Sequence, residues 1–402
     1  MQKHLNTLIL SISLVLILLG SRVLAEANTA EAESLTTPDT VYYLADGDNG
    51  VDQVFRQVLD GQNNRQQLTN SESDIVAFGV AVDGLSVAYI ANGRLQLQRV
   101  DAENNPAPEA EELVVIDGGQ TQSSPVFSPD GQYLAYADHG VWLMDLNTGA
   151  AHLLLADIPF DASAPNTSDF RLYTPDRFVI DPQTDALKLL IHIVIWEYSA
   201  VGVYDIAAGN FQEIELYNHT QLLPLSDGRV LIYGNSFIGG EAELEIAASL
   251  GDVANPELML DLNTVPGAAE TYIALSAYQA VEIQAGKLRV FVYPLDVKIP
   301  LEDGIHKFYF DFDLESGTVS EVQVVRLGEM EYSSDITAGP VSPDGMKVAV
   351  YGSYAVSETG TEAGTMQIYN LMTGEPTSDL FPDRVGEFQW HGMTGFTTIA
   401  RR

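Results

Sequence analysis

The sequence predicts an all-β fold: a β-propeller of four-stranded blades, with seven blades favoured, six or eight as alternatives, and the ring closed by strands from both chain ends. Three observations predict it. A strand–turn–strand unit built on Asp-Gly recurs. A second strand–turn–strand unit follows it. The spacing between copies is close to whole multiples of one unit.

The clearest pair runs Ser124-Pro-Val-Phe-Ser-Pro-Asp-Gly-Gln-Tyr-Leu-Ala-Tyr136 and Gly339-Pro-Val-Ser-Pro-Asp-Gly-Met-Lys-Val-Ala-Val-Tyr351. Glycine accepts a positive φ at a tight hairpin, so Asp-Gly between two apolar runs reads as a turn. Weaker copies surround Gly84 and Gly228. The gaps between the four glycines are 47, 97 and 117 residues. The second and third gaps each hold two units, so a degenerate copy should lie in each. Phe178 to Ile191 fills the first and Val281 to Tyr293 the second.

The second half of the unit recurs at Val141–Leu155, Val201–Ile214, Phe308–Val322 and Met366–Glu375, each an alternating run, a glycine turn and another run. Four strands per 40 to 58 residues is the length of a propeller blade. Six units are thereby placed. Val41–Thr69 lacks a first strand, and Phe388-Gln-Trp-His-Gly392 looks like one with its turn. Pairing the two makes a seventh blade and removes a free sheet edge. Phe396 to Ala400 is either an extra strand or a competitor of Val41–Ala45.

Phe127-Ser-Pro-Asp-Gly131 followed by Leu134-Ala-Tyr136 resembles the repeat of the TolB-type, WD40-like propeller family. Tyr42–Gly50 followed by Gln66-Gln-Leu-Thr69 resembles the second half of that repeat. The resemblance spans residues 40 to 400 and implies a propeller domain. The small α/β domain that TolB carries ahead of its propeller has no counterpart in residues 26–39.

The N-terminus reads as an address. Lys3 and His4 precede an apolar run from Leu8 to Leu19, and Val23-Leu24-Ala25 offers small residues to a signal peptidase. The run is too short to span about 30 Å of hydrocarbon as a helix. The expected organisation is a signal peptide at 1–25, a flexible Ala/Glu/Ser/Thr leader at 26–39 and one propeller at 40–402. It implies a secreted product, periplasmic or extracellular, without a stable membrane anchor.

Asp and Glu number 56 against 19 Lys and Arg, giving a net charge of −37. Such a field repels phosphates, so nucleic acid is not an expected partner. It suits a soluble secreted surface, adaptation to salt, or a cationic partner. No cysteine is present, which excludes disulfides, thiolate metal sites and an N-terminal lipoprotein anchor.

Function is expected in the links between strands two and three of each blade. Two are minimal, Asn92-Gly93 and His139-Gly140, and three read as long: Asn235–Ala242, Pro294–His306 and Ser353–Thr365. Long loops on one face of a rigid scaffold commonly carry binding residues. The candidate ligand- or partner-binding residues are Asp46, Asp48 and Asn49, Trp196 and Glu197, Phe237 and Glu241, Asp303 and His306, and Tyr354 and Glu358. Asp46, Asp48, Asn49 and Asp52 could ligate Ca²⁺, but EF-hand order is missing and an acidic turn is the simpler reading. No metal or cofactor is assigned.

Asp311 and Asp313 share a strand face, as paired carboxylates of a glycosidase would. Alternation with Phe308, Phe310 and Phe312 instead makes the Phe face buried and the Asp face wet. Trp142 and Trp390 read as blade-packing residues. His-Glu-x-x-His and Gly-x-Ser-x-Gly are absent from the sequence. No catalytic residues are assigned. The expectation is a monomeric, non-catalytic scaffold that binds a protein or glycan in the envelope or medium. The alternative is a glycan lyase or hydrolase with acids converging at the channel.

Overall fold

The computed structural model describes residues 40–59, 64–101, 105–117, 123–160, 170–195, 198–214, 220–234, 243–272, 274–294, 305–327, 337–356, 362–378, 381 and 385–390. Residues from Thr40 onward form one compact unit. Among the described residues there are 28 strands, β1 to β28 in chain order, and only a 3₁₀ turn (Leu262–Thr264) and one helical turn (Ala268–Thr271) besides.

The unit is a seven-bladed β-propeller. In the first blade β1 (Thr40–Asp46), β2 (Asp52–Val58) and β3 (Asn64–Gln67) follow one another, and β28 (Phe388–Trp390) supplies the missing strand. The second blade holds β4 (Ile75–Val80), β5 (Ser86–Ala91), β6 (Arg94–Arg99) and β7 (Glu111–Val115). The third holds β8 (Val126–Phe127), β9 (Tyr133–Ala137), β10 (Gly140–Asp145) and β11 (Ala151–Ala156). The fourth holds β12 (Leu172–Asp181), β13 (Ala186–Ile195), β14 (Tyr198–Asp205) and β15 (Asn210–Ile214).

In the fifth lie β16 (Thr220–Pro224), β17 (Val230–Gly234), β18 (Glu243–Ala247) and β19 (Glu257–Asp261). The sixth has β20 (Leu275–Gln284), β21 (Lys287–Pro294) and β22 (Ile305–Asp313), with the fourth place shared by β23 (Thr318–Val319) and β24 (Gln323–Leu327). The seventh has β25 (Thr337–Val341), β26 (Lys347–Val356) and β27 (Glu362–Asn370). Its fourth place is held irregularly: Thr377 N donates to Ile368 O and Phe381 N to Met366 O.

The repeat units map onto these blades. The Asp-Gly turns join strands one and two, and Gly131 and Gly345 each have φ of +68° there. The degenerate copies are the β12–β13 and β20–β21 hairpins. The expected closure is present, with Val41 opposite Trp390 and Tyr43 opposite Phe388. Phe396 to Ala400 lies outside the described residues.

Each blade has two apolar faces that it cannot cover alone, and the described residues form seven separate buried apolar clusters. Each joins two neighbouring blades. Tyr42, Leu44 and Val54 of the first blade meet Phe78, Val87 and Tyr89 of the second. Val41 and Tyr43 on the opposite face of β1 meet Ala349, Met366 and Ile368 of the seventh, together with Phe388 and Trp390. Trp390 Nε1 donates to Pro340 O at 3.2 Å, adding a polar tie to the seventh blade. The inner strands approach closely elsewhere too: a Cβ on Gly79 of β4 would lie 1.9 Å from Pro125 O of the third blade.

Candidate functional site

Strands alternate in direction within a blade. Links from strand two to three, and from strand four to the next blade, therefore share one end of every blade, here termed the loop face. The Asp-Gly turns occupy the other end. Of the three links read as long, 235–242 keeps its bounds between β17 and β18, and the other two are bounded more tightly than the sequence suggested. β21 runs to Pro294 and β22 begins at Ile305, so the link is residues 295–304. β26 and β27 continue through Val356 and from Glu362, with Ala355 opposite Ala363, so the link is residues 357–361. Pro294, His306 and Tyr354 are thus strand residues, a correction to their reading as loop.

His306 is half-buried, its ring 6.4 Å from that of Phe308. Trp196, Glu197, Phe237, Glu241, Asp303 and Glu358 lie outside the described residues. Asp46, Asp48 and Asn49 are exposed in the β1–β2 hairpin. They are brought beside the link to the second blade, and not beside His306.

That hairpin is firmly built. Gly47 N donates to Val51 O, and Gly50 N to Gly47 O, both at 2.9 Å. Gln53, fully buried, receives bonds from Ser71 N at 2.8 Å and Thr69 Oγ1 at 2.9 Å and donates to Ser71 O at 2.9 Å. Asn49 Nδ2 donates to the same carbonyl at 2.8 Å. The clamp holds Asp74 where its carboxylate accepts from Asp52 N at 2.9 Å. Burial, then the charges of Asp74 and Asp46, push the Asp52 carboxyl up to about 6. Asp52 is therefore the strained member of an acidic turn. Among the described residues, no group of three or more His, Asp or Glu has a geometry that could hold a metal ion.

A second acidic position lies where the third blade hands over to the fourth. Asp138 precedes His139, whose φ is +51°, and Trp142 Nε1 donates to Asp138 O at 2.9 Å. Asp157 N donates to His139 O, and Asp157 Oδ1 accepts from Tyr173 N at 2.9 Å. Burial raises the Asp157 carboxyl, and Asp138 adds to the rise. Asp138 Oδ1 is buried without a hydrogen-bond partner. The sequence offered Asp-His-Gly only as a minimal link.

Glu387 marks a third acidic position, one the sequence reading missed. It immediately precedes β28 and accepts from Phe78 N at 3.3 Å and from Ser124 Oγ. Its own carbonyl accepts from Leu44 N at 2.9 Å. One glutamate so ties the innermost strands of three blades.

The Phe face of β22 is buried, as expected, and Asp311 is open to solvent, its side chain 41% exposed, but the rest of its face is not wet. The same face of β22 carries Lys307 and Tyr309, which are 1% and 4% exposed because the seventh blade packs over them. Asp311 forms a bidentate pair with Arg289 at 2.8 and 2.9 Å. Asp313 caps the next turn, accepting from Glu315 N and Ser316 N. Trp390 is buried, and Trp142 is half-buried and stacked on Tyr136 at 6.4 Å between centroids, consistent with packing roles.

No protein-family profile and no curated protein matches the chain. Solved structures do. A putative 6-phosphogluconolactonase from Bacteroides fragilis is similar at 12% identity and TM-score 0.49, covering 89% of this chain and 99% of that one. The C-terminal WD40 domain of Sif2 is similar at 15% identity and TM-score 0.45, over 83% and 79% of the two chains. TolB from Acinetobacter baumannii is similar at 12% identity and TM-score 0.40, over 88% and 83%. The structural neighbours thus include TolB and WD40 propeller proteins.

Proposed function

We propose that the chain is an exported, non-catalytic scaffold whose loop face binds a protein or glycan partner. The observation that supports this reading is the clamped hairpin at Asp46–Asp52. A fully buried glutamine and a set of backbone bonds hold exposed Asp48 and Asn49 rigidly on the face where every strand-two-to-three link emerges. Rigid presentation lowers the ordering cost of association. The net charge of −37 selects for cationic or hydroxyl-rich surfaces over anionic ones. No nucleic acid, cofactor or metal enters this reading, and the chain acts as a monomer.

The mature chain, residues 26–402, used as bait in envelope and medium fractions, tests it. Links 235–242, 295–304 and 357–361 are replaced together by two-residue turns, and Asp48 and Asn49 by alanine. Lost capture with an unchanged far-ultraviolet spectrum is expected; capture unaffected by both changes sinks the proposal. Export is tested separately, by sequencing the N-terminus of the exported chain for cleavage after Ala25.

Glu387 supports a second reading, an extracellular glycan lyase or hydrolase. It is an acid at the inner ends of three blades, where substrate in the channel would meet it. Glycan turnover abolished by Glu387→Gln would move the assignment to this reading.

A further inference from the structure

The seam between the sixth and seventh blades buries two cations and treats them differently. Arg289, 5% exposed, holds Asp311 in two bonds, donates to Gly345 O at 3.1 Å and lies 4.5 Å from the centre of the Tyr309 ring. Lys307, 1% exposed, has no hydrogen-bond partner for its Nζ. Its ammonium position is 4.6 Å from the centre of the Tyr278 ring and 5.7 Å from that of Phe291. The Tyr278 hydroxyl is also buried with no partner. The chain carries 56 acids for 19 bases, yet among the described residues none gives Lys307 Nζ a hydrogen-bond partner. Orphaned buried donors are rare in native proteins and call for an acceptor.

The two donors sit at the loop-face end of the seam. β21 ends one residue after Tyr293, and β22 starts two residues before Lys307. Tyr293 is 45% exposed and stacks on Tyr278 with 4.0 Å between ring centres, so the aromatic wall runs from solvent to the amine. We propose that Lys307 and Tyr278 form the two-donor floor of a site for a small carboxylate, reached from the loop face beside Tyr293.

The chemistry selects that class. An ammonium offers three N–H donors and a phenol one O–H, while an ionised carboxylate is acceptor-only. One cation matches one negative charge; a phosphate dianion would carry an uncompensated charge into an aromatic pocket. The repulsion of anions by the whole protein is screened beyond about 8 Å at physiological salt, whereas pairing inside the dry seam is not. The site shares the proposed binding face but does not depend on partner capture.

Burial holds the Lys307 amine down to about 7, and carboxylate binding must raise it. Among the described residues, the titratable groups of this seam are Tyr278 from β20, Tyr293 and, farther along, Arg289 from β21, Tyr309 and Asp311 on the strand of Lys307, and Tyr369 from β27. β24 presents Val325, and β26 presents Val348 and Val350.

The test uses the mature chain labelled with ¹³C at lysine Cε, which contains Lys188, Lys287, Lys298, Lys307 and Lys347. The Lys307 signal is assigned with Lys307→Met, and sodium acetate is titrated against sodium chloride at matched ionic strength. Acetate is expected to shift Lys307 saturably and raise its midpoint, leaving the other four signals in place. Affinity then falls about tenfold per pH unit above the midpoint. Tyr278→Phe weakens acetate binding several-fold while the Lys307 midpoint stays low. A glutamate peptide and its glutamine twin locate the natural source. Response to acetate alone marks a free ligand, and response to the glutamate peptide as well marks a side chain borne by a partner. Acetate that moves Lys307 no more than chloride does, or a Tyr278→Phe variant that binds acetate unchanged, overturns the site.

Discussion

Trp390→Ala tests the closure of the ring. Trp390 is 2% exposed, sits edge-on to Phe388 at 5.3 Å and pairs with Val41 across the sheet that, among the described residues, joins distant parts of the chain. Burying a large aromatic removes about 150–250 Å² from water. At about 25 cal/mol per Å² this is worth about 4–6 kcal/mol, an upper bound because truncation to alanine keeps part of the area. Losing the Nε1 donor adds about 1 kcal/mol by orphaning Pro340 O. The expected loss is about 4 kcal/mol, within the range for Trp→Ala in cores. Trp390→Phe should lose about 1–2 kcal/mol, since packing largely survives.

The assay is urea unfolding together with amide exchange. Weakened closure should release protection first in β1 and β28, at Val41, Tyr43 and Phe388, before the sheets of the third and fourth blades. A loss under about 1 kcal/mol, or protection falling evenly around the ring, would refute the claim that this sheet is the latch.

Three further outcomes follow from the same structure. Gly79→Ala drives a methyl into Pro125 O and should cost about 2–3 kcal/mol, against about 1 kcal/mol for Gly131→Ala, whose Cβ would meet nothing within 4 Å; chemical denaturation decides the order. Asp52, raised to about 6 in the folded chain, binds more protons there than when unfolded, so its contribution to stability declines as pH rises from about 4 to about 6. The urea midpoint of Asp52→Asn relative to the parent should climb over that window, and a flat difference would contradict it. Lys307, lowered to about 7, binds fewer protons in the folded chain, so the parent gains stability as pH rises from 7 towards 10.5. Lys307→Met should therefore be the more stable protein at pH 6, by about 2 kcal/mol, with the difference closing in alkali.

The fold was legible because its signals are local. An Asp-Gly pair between alternating runs specifies a hairpin wherever it stands, and the degenerate hairpins at Phe178 and Val281 were found by distance alone. The length of β26 and β27 was not legible. Ser353 to Thr365 is rich in Ser, Gly, Glu and Thr, a loop composition, yet cross-strand pairing carries the hairpin out to Val356 and Glu362. The burial of Lys307 and Tyr309 on the Asp311 face was not legible, because alternation reports which residues share a face and not what covers it. In a ring of stacked sheets both faces of a middle strand are covered. Glu387 was beyond reach for another reason: its acceptor bond to Phe78 N spans 309 residues. The assignment of Asp46, Asp48 and Asn49 to an exposed turn followed from their type. The Gln53 clamp beneath them left no sequence trace, since a buried glutamine has no characteristic spacing.

Because β28 and β1 lie side by side in one sheet, the polypeptide is topologically almost a closed circle. A short tether from Trp390 to Thr40, with a new opening cut between the second and third blades, would give a permuted molecule in which every sheet is made of consecutive strands. Its wheel of blades would be unchanged, while the seam now closed by cross-strand pairing would become a covalent turn.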